Sequence, residues 1–314
     1  MRKILVTGGA GFIGSNLVPC LIKKGYSVIV FDNLSSGKLE NLSTVRNNPN
    51  FHFIQGDIQN KAALREAFCM VDAVVHLAAL IDTSASVIDP LKTHEVNATG
   101  TLNTLQAATK ENTVNRFVFA SSTAVYGNAE ALPIKEDTVP KPISPYAASK
   151  VAGEAYCNAF TKCYDLGTVI LRFFNVYGPR NEKSPYSGVI TKFLRQALNG
   201  EVLTMYGDGK QTRDFIHVND IVNAIMLALD AKGVNGEIFN VCTGSPTSIS
   251  KLVETLDGVM KQDLRVNYAP PRAGEIKFSY GDPSKAAEKL KFTAKVSLQE
   301  GLNLLFKFKT ENSV

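Results

Sequence analysis

The chain has 314 residues, 45% of them hydrophobic, enough to bury a large core in one large domain or two interlocked ones without disulfide staples. Its formal charge of +5 is spread along the sequence with no basic run, so a solvated surface accounts for it better than nucleic-acid binding does. The five cysteines are scattered, odd in number and set mostly in apolar contexts, which suggests reduced core thiols, and the four histidines form no ligand pair, so no metal site is expected.

The N-terminus has two basic residues, but the apolar stretch from Ile4 to Val6 breaks at once into Thr7-Gly8-Gly9. That fits neither a signal peptide nor a membrane span, and a cytoplasmic protein with no membrane partner is expected. Strands are predicted at Lys3–Thr7, Ser27–Asp32, Phe51–Gln55 and residues 73–77, 116–120 and 167–172, with helix-length stretches between them. Near-continuously apolar strands alternating with helices make a parallel sheet covered on both faces, a doubly wound α/β fold of Rossmann type.

The first strand runs into Gly8-Gly9-Ala10-Gly11-Phe12-Ile13-Gly14, a glycine-rich turn that opens a helix. In that context Gly8 permits the turn, Gly11 lets a pyrophosphate approach the backbone, and Gly14 lets helix and strand pack closely. Pro19 falls inside that helix, where it removes a backbone hydrogen bond, and the sequence offers no compensation. The second strand ends at Asp32, 18 residues beyond Gly14, where a carboxylate can accept hydrogen bonds from the adenosine ribose and repel a 2′-phosphate. No arginine follows in Asp32-Asn33-Leu34-Ser35-Ser36, so NAD is favoured over NADP. Asp57 after the third strand can meet the adenine or equally well cap a helix.

The fifth strand runs into Ser121-Ser122-Thr123-Ala124, putting small hydroxyls at the carboxyl edge of the sheet, where they can meet a ligand or cap the next turn. Tyr146 and Lys150 stand four apart and share a face on a helix, a spacing common on helical surfaces that also suits acid–base chemistry, because a nearby ammonium stabilises the phenolate and lowers the pKa of the phenol toward neutral pH. After residue 172 the alternation loosens, with helices predicted at residues 187–199, 220–231, 249–261 and 297–308 and a strand at 238–241 that returns to the sheet. Residues 1–174 with 214–242 are therefore expected to form the dinucleotide-binding domain, and 175–213 with 243–314 a smaller lobe.

These motifs together resemble the extended short-chain dehydrogenase/reductase family, the NAD-dependent epimerases and dehydratases, and within it the UDP-sugar 4-epimerase branch. The matches include the glycine turn, Asp32-Asn33-Leu34, Asp57-Ile58, His76-Leu77-Ala78-Ala79, Asn97, Ser122, Tyr146 with Lys150, Arg172-Phe173-Phe174-Asn175-Val176-Tyr177-Gly178-Pro179, Arg213-Asp214-Phe215-Ile216-His217-Val218 and Pro271-Arg272-Ala273-Gly274-Glu275. The resemblance implies NAD held by Gly8, Gly11, Phe12, Ile13, Gly14, Asp32, Asn33, Ser36, Gly37, Asp57, Ile58, Leu77, Ala78, Ala79 and Asn97 together with Tyr146 and Lys150. It implies a UDP-sugar held by Ser122, Tyr146, Asn175, Val189, Arg213, Arg272, Glu275 and Ser279. Arg213 and Arg272 would clamp the diphosphate, a role that guanidinium forks suit.

Two departures stand out: Glu275 occupies a position where the family more often has aspartate, and residues 78–86 are more polar than usual. Related dehydratases and decarboxylases carry acidic residues just after the strand-end hydroxyl, where this chain has Thr123 and Ala124. Simple 4-epimerisation is therefore expected, the alternatives being another NAD-dependent sugar-nucleotide epimerase, dehydratase or decarboxylase and, more remotely, a non-catalytic NAD-binding sensor. In the resembling epimerases the position of Ser279 lies beside the sugar carbon-2 substituent, and a small residue there implies entry of UDP-N-acetylglucosamine and UDP-N-acetylgalactosamine alongside UDP-glucose and UDP-galactose. The family commonly dimerises through two helices, here near residues 90–111 and 146–164, whose apolar residues fit ordinary core packing equally well.

Overall fold

A computed structural model describes residues 1–110, 113–181, 188–271 and 276–311. The strands run β1 (Lys3–Thr7), β2 (Ser27–Asp32), β3 (Phe51–Gln55), β4 (Ala73–His76), β5 (Arg116–Ser122), β6 (Thr168–Phe173), β7 (Asn175–Tyr177), β8 (Leu203–Tyr206), β9 (Thr212–Arg213), β10 (Phe215–His217), β11 (Glu237–Val241), β12 (Thr247–Ser248) and β13 (Val266–Ala269). Seven of them form one sheet of order β3-β2-β1-β4-β5-β6-β11, parallel at every pairing. The order reverses between β1 and β4, and open sheets of this kind bind ligands at such a switch point.

The helices are α1 (Phe12–Lys23), α2 (Lys61–Ala67), α3 (Thr83–Ile88), α4 (Pro90–His94), α5 (Gly100–Lys110), α6 (Pro145–Tyr164), α7 (Val189–Leu198), α8 (Val218–Asp230), α9 (Ile249–Met260), α10 (Ser284–Lys289) and α11 (Leu298–Glu311). Successive strand residues serve opposite faces of the sheet. Ile4, Val6, Val118 and Ala120 pack beneath α1 and α8, whereas Leu5, Phe117 and Phe119 pack beneath α2, α5 and α6. Both faces are apolar because both are covered, which is why these strands read as continuous hydrophobic runs.

A third core joins α7, α9 and α11 to β8 through Phe193, Leu194, Leu203, Leu252, Leu256, Leu302 and Leu305. The chain does not stay in this lobe, because Ala286, Leu290 and Phe292 pack into the core beneath α1 and α8. Element ends shift where a side chain intervenes. The expected helix at 220 starts at Val218, because His217 caps it with Nδ1 accepting the Asn219 N–H at 3.2 Å.

Pro19 has its compensation in three dimensions. The Ser15 carbonyl, which a residue other than proline at 19 would have engaged through its N–H, accepts the Arg180 guanidinium at 3.1 Å. The cysteines divide differently from the expectation of core thiols: Cys157 and Cys242 are buried, but Cys20, Cys69 and Cys163 are exposed. Cys20 and Cys163 sit on α1 and α6, where an apolar local context belongs to an amphipathic helix whose outer face meets water. Among the described residues, no helix is long and apolar enough to cross a membrane.

Candidate active site

A cleft of about 990 Å³ lies beyond the carboxyl ends of β1, β2, β4, β5 and β6. That is the upper range for a small-molecule site. Every described residue expected at the site lines this cleft except Gly37 and Asn97. Arg272 and Glu275 lie outside the described residues.

At one end, Gly8, Gly11, Phe12, Ile13 and Gly14 form the floor. Helix α1 starts after Gly11 with no side-chain cap and no acidic residue in its first turn, so its N–H groups and positive dipole end face the cleft uncompensated. A Cβ on Gly14 would stand 2.5 Å from the Gly8 carbonyl oxygen, so only glycine lets the helix close on the turn. One on Gly11 would meet the Gly8 carbonyl alone, at 3.2 Å, and otherwise occupy the cleft. Asp32 ties the neighbouring loops together, Oδ2 accepting Ala10 N–H at 2.9 Å and Oδ1 accepting Leu34 N–H at 2.8 Å. Burial raises its pKa and these two hydrogen bonds oppose the rise.

Asn33 Nδ2 donates to Asp57 at 2.8 Å, joining the ends of β2 and β3 across the cleft, beside Ser36 and Ile58. Asp57 is not the cap of α2, since Asn60 accepts the N–H groups of Ala62 and Ala63. Gly37 stands behind this wall, where a Cβ would lie 2.8 Å from the Ala10 carbonyl carbon; its part is close packing.

The loop after β4 carries Leu77, Ala78 and Ala79 along the cleft, held from below by a buried histidine. Thr101 Oγ1 donates to the Asn97 carbonyl at 2.6 Å, so it accepts from His76 Nε2 at 3.0 Å. His76 Nδ1 then accepts from Thr7 Oγ1 at 2.7 Å, and that oxygen accepts Ala78 N–H at 3.3 Å. Asn97 sits in a π-helical turn, Glu95–Thr99, and holds Leu80 by both polar atoms, Oδ1 to its N–H at 2.7 Å and Nδ2 to its carbonyl at 2.8 Å. It shapes the wall from behind.

The polar segment that follows has a local reason. Asp82 caps α3 by accepting Ala85 N–H at 2.9 Å, and Ser86 Oγ accepts Tyr146 N–H at 3.1 Å, anchoring the start of α6.

Ser122, Tyr146 and Lys150 meet on one wall. Ser122 caps the next turn, Oγ accepting Ala124 N–H at 3.2 Å, and its hydroxyl also hydrogen-bonds the Tyr146 side chain. Burial raises the Tyr146 pKa and the Ser122 contact opposes it. This differs from the expected lowering by Lys150, because the Lys150 ammonium donates to the Ala120 carbonyl at 2.9 Å and lies over the Phe119 ring at 5.1 Å. Burial brings Lys150 down to about 8, so it is charged at neutral pH but only modestly so above it.

The other end of the cleft is built from β7, β9 and α7. Asn175 Oδ1 is buried there with no hydrogen-bond partner among the described residues. Val189 opens α7, whose N-cap Gly188 supplies no side-chain cap, so a second uncapped helix start faces the cleft. Arg213 lines it with Nη1 donating to the Thr212 carbonyl at 2.8 Å. The neighbouring Asp214 carboxylate fixes the loop by accepting Thr243 N–H and Oγ1 at 2.8 and 2.7 Å and Gly244 N–H at 2.9 Å. Ser279 is 6% exposed and contributes its side to the same wall, its N–H donating to the Thr212 carbonyl at 3.2 Å.

Arg180 was missed by the sequence reading. It lines the cleft in a left-handed backbone conformation, φ +69°, with Nη1 on the Ser15 carbonyl beside the glycine turn. Its signal was present as the unmatched basic residue after Tyr177-Gly178-Pro179, together with an unexplained Pro19 more than 150 residues away.

Residues 4–242 match the NAD dependent epimerase/dehydratase family. A UDP-glucose 4-epimerase of Mycolicibacterium smegmatis is 39% identical over 303 residues, covering 96% of each chain. Among solved structures, a UDP-glucose 4-epimerase of Thermotoga maritima with UDP-glucose superposes with a TM-score of 0.94 at 38% identity, covering 100% of both chains. A UDP-N-acetylglucosamine 4-epimerase of Methanobrevibacter ruminantium in complex with UDP-N-acetylmuramic acid gives 0.94 at 39% identity, covering 99% of this chain and 98% of that one.

Proposed function

This chain belongs to the NAD dependent epimerase/dehydratase family, and we propose that it is a UDP-sugar 4-epimerase. The observation that carries this reading is the wall of Ser122, Tyr146 and Lys150 midway along a cleft with an anion-seeking helix start at each end. NAD fits the first end. The glycine turn keeps open the space that a Cβ on Gly11 would fill, the uncapped start of α1 suits a pyrophosphate, and Arg180 adds a guanidinium beside it. Asp32 suits ribose hydroxyls, and Asn33, Ser36, Asp57 and Ile58, which line the same end, would surround the adenine. A UDP-sugar fits the other end, where its diphosphate would meet Arg213, Asn175 and the start of α7 near Val189; Arg272 and Glu275, which the family resemblance assigns to the same ligand, lie outside the described residues. Residues 1–174 with 214–242 would thus serve the cofactor and most of the remainder the substrate.

When bound, NAD supplies a reversible hydride acceptor. Tyr146 is the acid–base group: its phenol oxygen takes the proton of the sugar 4-hydroxyl and later returns it, and Ser122 holds that hydroxyl beside it. Burial works against a phenolate and the Ser122 contact opposes it, and the Lys150 charge, a turn away on α6, would add to that compensation once substrate and cofactor are bound. Anchoring the substrate through its diphosphate leaves the 4-keto sugar free to turn its other face to the same groups. Thr123 and Ala124 line the cleft next to Ser122 and cannot transfer a proton at neutral pH, which favours epimerisation over elimination of water or loss of carboxylate.

The small Ser279 on the sugar wall favours N-acetylated as well as plain UDP-hexoses. Exposed Val87 and Ile88 on α3 and Leu91 on α4, with Tyr156 and Tyr164 on α6, favour a homodimer through these helices.

The test is product analysis by NMR after incubating the protein with UDP-glucose and with UDP-N-acetylglucosamine. Each should yield its 4-epimer with no net oxidation, dehydration or decarboxylation. Tyr146→Phe should lower kcat by about 10²-fold or more while UDP binding by calorimetry holds. A dehydrated or decarboxylated product, or near-native turnover by a folded Tyr146→Phe protein, would overturn the reading.

A further inference from the structure

Tyr146, Lys150 and Glu154 stand four apart along α6, so one helix face carries the phenol, the ammonium and then a carboxylate. Glu154 is 4% exposed and does not line the cleft. A buried carboxylate needs both charge and hydrogen-bond partners. Glu154 has them in Arg172 of β6, with Nε on Oε1 at 2.9 Å and Nη2 on Oε2 at 2.6 Å. Its Oε1 also accepts a hydrogen bond from Ser121 Oγ.

Ser121 lies between two residues the reaction uses. Its predecessor Ala120 accepts the Lys150 ammonium, and its successor Ser122 hydrogen-bonds Tyr146. Arg172 is paired with Ser121 in the β5–β6 register, so the Arg172–Glu154 ion pair ties α6 to β6, and the Ser121 hydrogen bond ties it to β5, at the level of the reaction wall. Arg172 reaches further, Nη1 donating to the Glu136 carbonyl at 3.2 Å with its guanidinium over the Tyr126 ring at 4.6 Å.

We propose that Glu154 is a positioning residue for the reaction centre: pinned by Arg172, its carboxylate holds the end of β5 at Ser121 and places a fixed negative charge behind the Lys150 ammonium. The inference rests on the acid–base role given above to Tyr146 and Lys150.

The charges around Lys150 support the assignment. From α6 it faces Tyr146, Glu154 and Cys157, from β4 His76, and from β6 Arg172 behind Glu154. Burial keeps the His76 ring neutral and pushes the Cys157 thiol up, so among the described residues on these elements Glu154 is the group that supplies negative charge at neutral pH. It opposes the burial that brings Lys150 down to about 8.

Removing that charge while Arg172 remains must make Lys150 lose its proton at lower pH. The experiment compares the pH profiles of kcat and KM for UDP-sugar epimerisation by purified wild type, Glu154→Gln, Glu154→Asp and the double variant Glu154→Gln/Arg172→Gln. In Glu154→Gln the alkaline fall in kcat should move to lower pH by roughly one unit, a kcat about tenfold below wild type above both limbs, with KM unchanged. Glu154→Asp, which keeps the charge, should restore the limb. A folded Glu154→Gln with the wild-type limb would overturn the proposal. If that variant does not fold, the double variant, which leaves no unpaired charge, is read in the same way: a smaller acid-ward shift is expected, and a coincident limb overturns it. Full turnover by Tyr146→Phe would instead sink the acid–base reading beneath it, whereas an inactive Tyr146→Phe with an unmoved Glu154→Gln limb removes this inference alone.

Discussion

Acidification should loosen the cofactor wall through His76. The ring is fully buried at the end of β4, its pKa lowered to about 3 by burial first and the Lys150 charge second. A base whose folded value is depressed contributes stability that is present above its unfolded value, near 6.5, and lost as the pH falls toward about 3. Each pH unit inside that window removes about 1.4 kcal/mol, so by pH 4.5 some ~2.5 kcal/mol is gone, a substantial fraction of the ~5–15 kcal/mol typical of a domain.

The loss has a local address, because the ring holds Thr7, and Thr7 holds the N–H of Ala78 on the cleft. Urea unfolding of wild type and His76→Gln between pH 7 and 4.5 measures it. The variant should be less stable at pH 7, by about 1–3 kcal/mol for the Thr7 hydroxyl left without its acceptor, and the two curves should converge as the pH falls. Ring nitrogen NMR should show a neutral imidazole protonated on Nε2 down to pH 5. Titration of the folded ring near 6.5, or a stability difference flat with pH, would refute the buried neutral assignment.

The wild-type protein should be purified with NAD bound and Arg180→Ala should lose it, since removing a charge-assisted hydrogen bond costs about 1.5–3 kcal/mol, or about ten- to a hundredfold in Kd. Mass analysis of the dinucleotide released on denaturation reads this, and full retention with unchanged UDP affinity would confine Arg180 to bracing Ser15. Ser279→Tyr should remove activity on the N-acetylated pair while sparing UDP-glucose and UDP-galactose, through steric exclusion at the carbon-2 substituent. Equal slowing of both pairs, or a wild type that accepts only plain hexoses, would show that the gate lies elsewhere.

What the sequence made legible is what short-range pattern encodes. Strand ends carry the residues of this cleft, and strand ends are marked by abrupt changes from apolar runs to glycine or small hydroxyls, as at Thr7-Gly8 and Ala120-Ser121-Ser122. The missed features depend on chain segments meeting from afar. Pro19 looked like a defect until Arg180 arrived at the Ser15 carbonyl, and residues 284–292 looked like part of the smaller lobe until Ala286 and Phe292 packed beneath α1 and α8. Asn97 falls in the same class: a side chain that looks available in sequence has its amide committed to Leu80 and Ser149.

The electrostatics of the reaction wall were the least legible. Four-residue spacing establishes that Tyr146 and Lys150 share a helix face, but not where the ammonium spends its donors. That depends on which carbonyl of β5 lies under α6, and so on a sheet register fixed by β4 and β6 on either side. The register brings Ala120 beneath Lys150, so the cation that spacing alone would assign to the phenol is shared with the backbone, and Tyr146 is left to burial and Ser122. A pair that looks self-sufficient in one dimension therefore needs a third charge in three, and the same register puts Ser121 against Glu154, from which that charge comes.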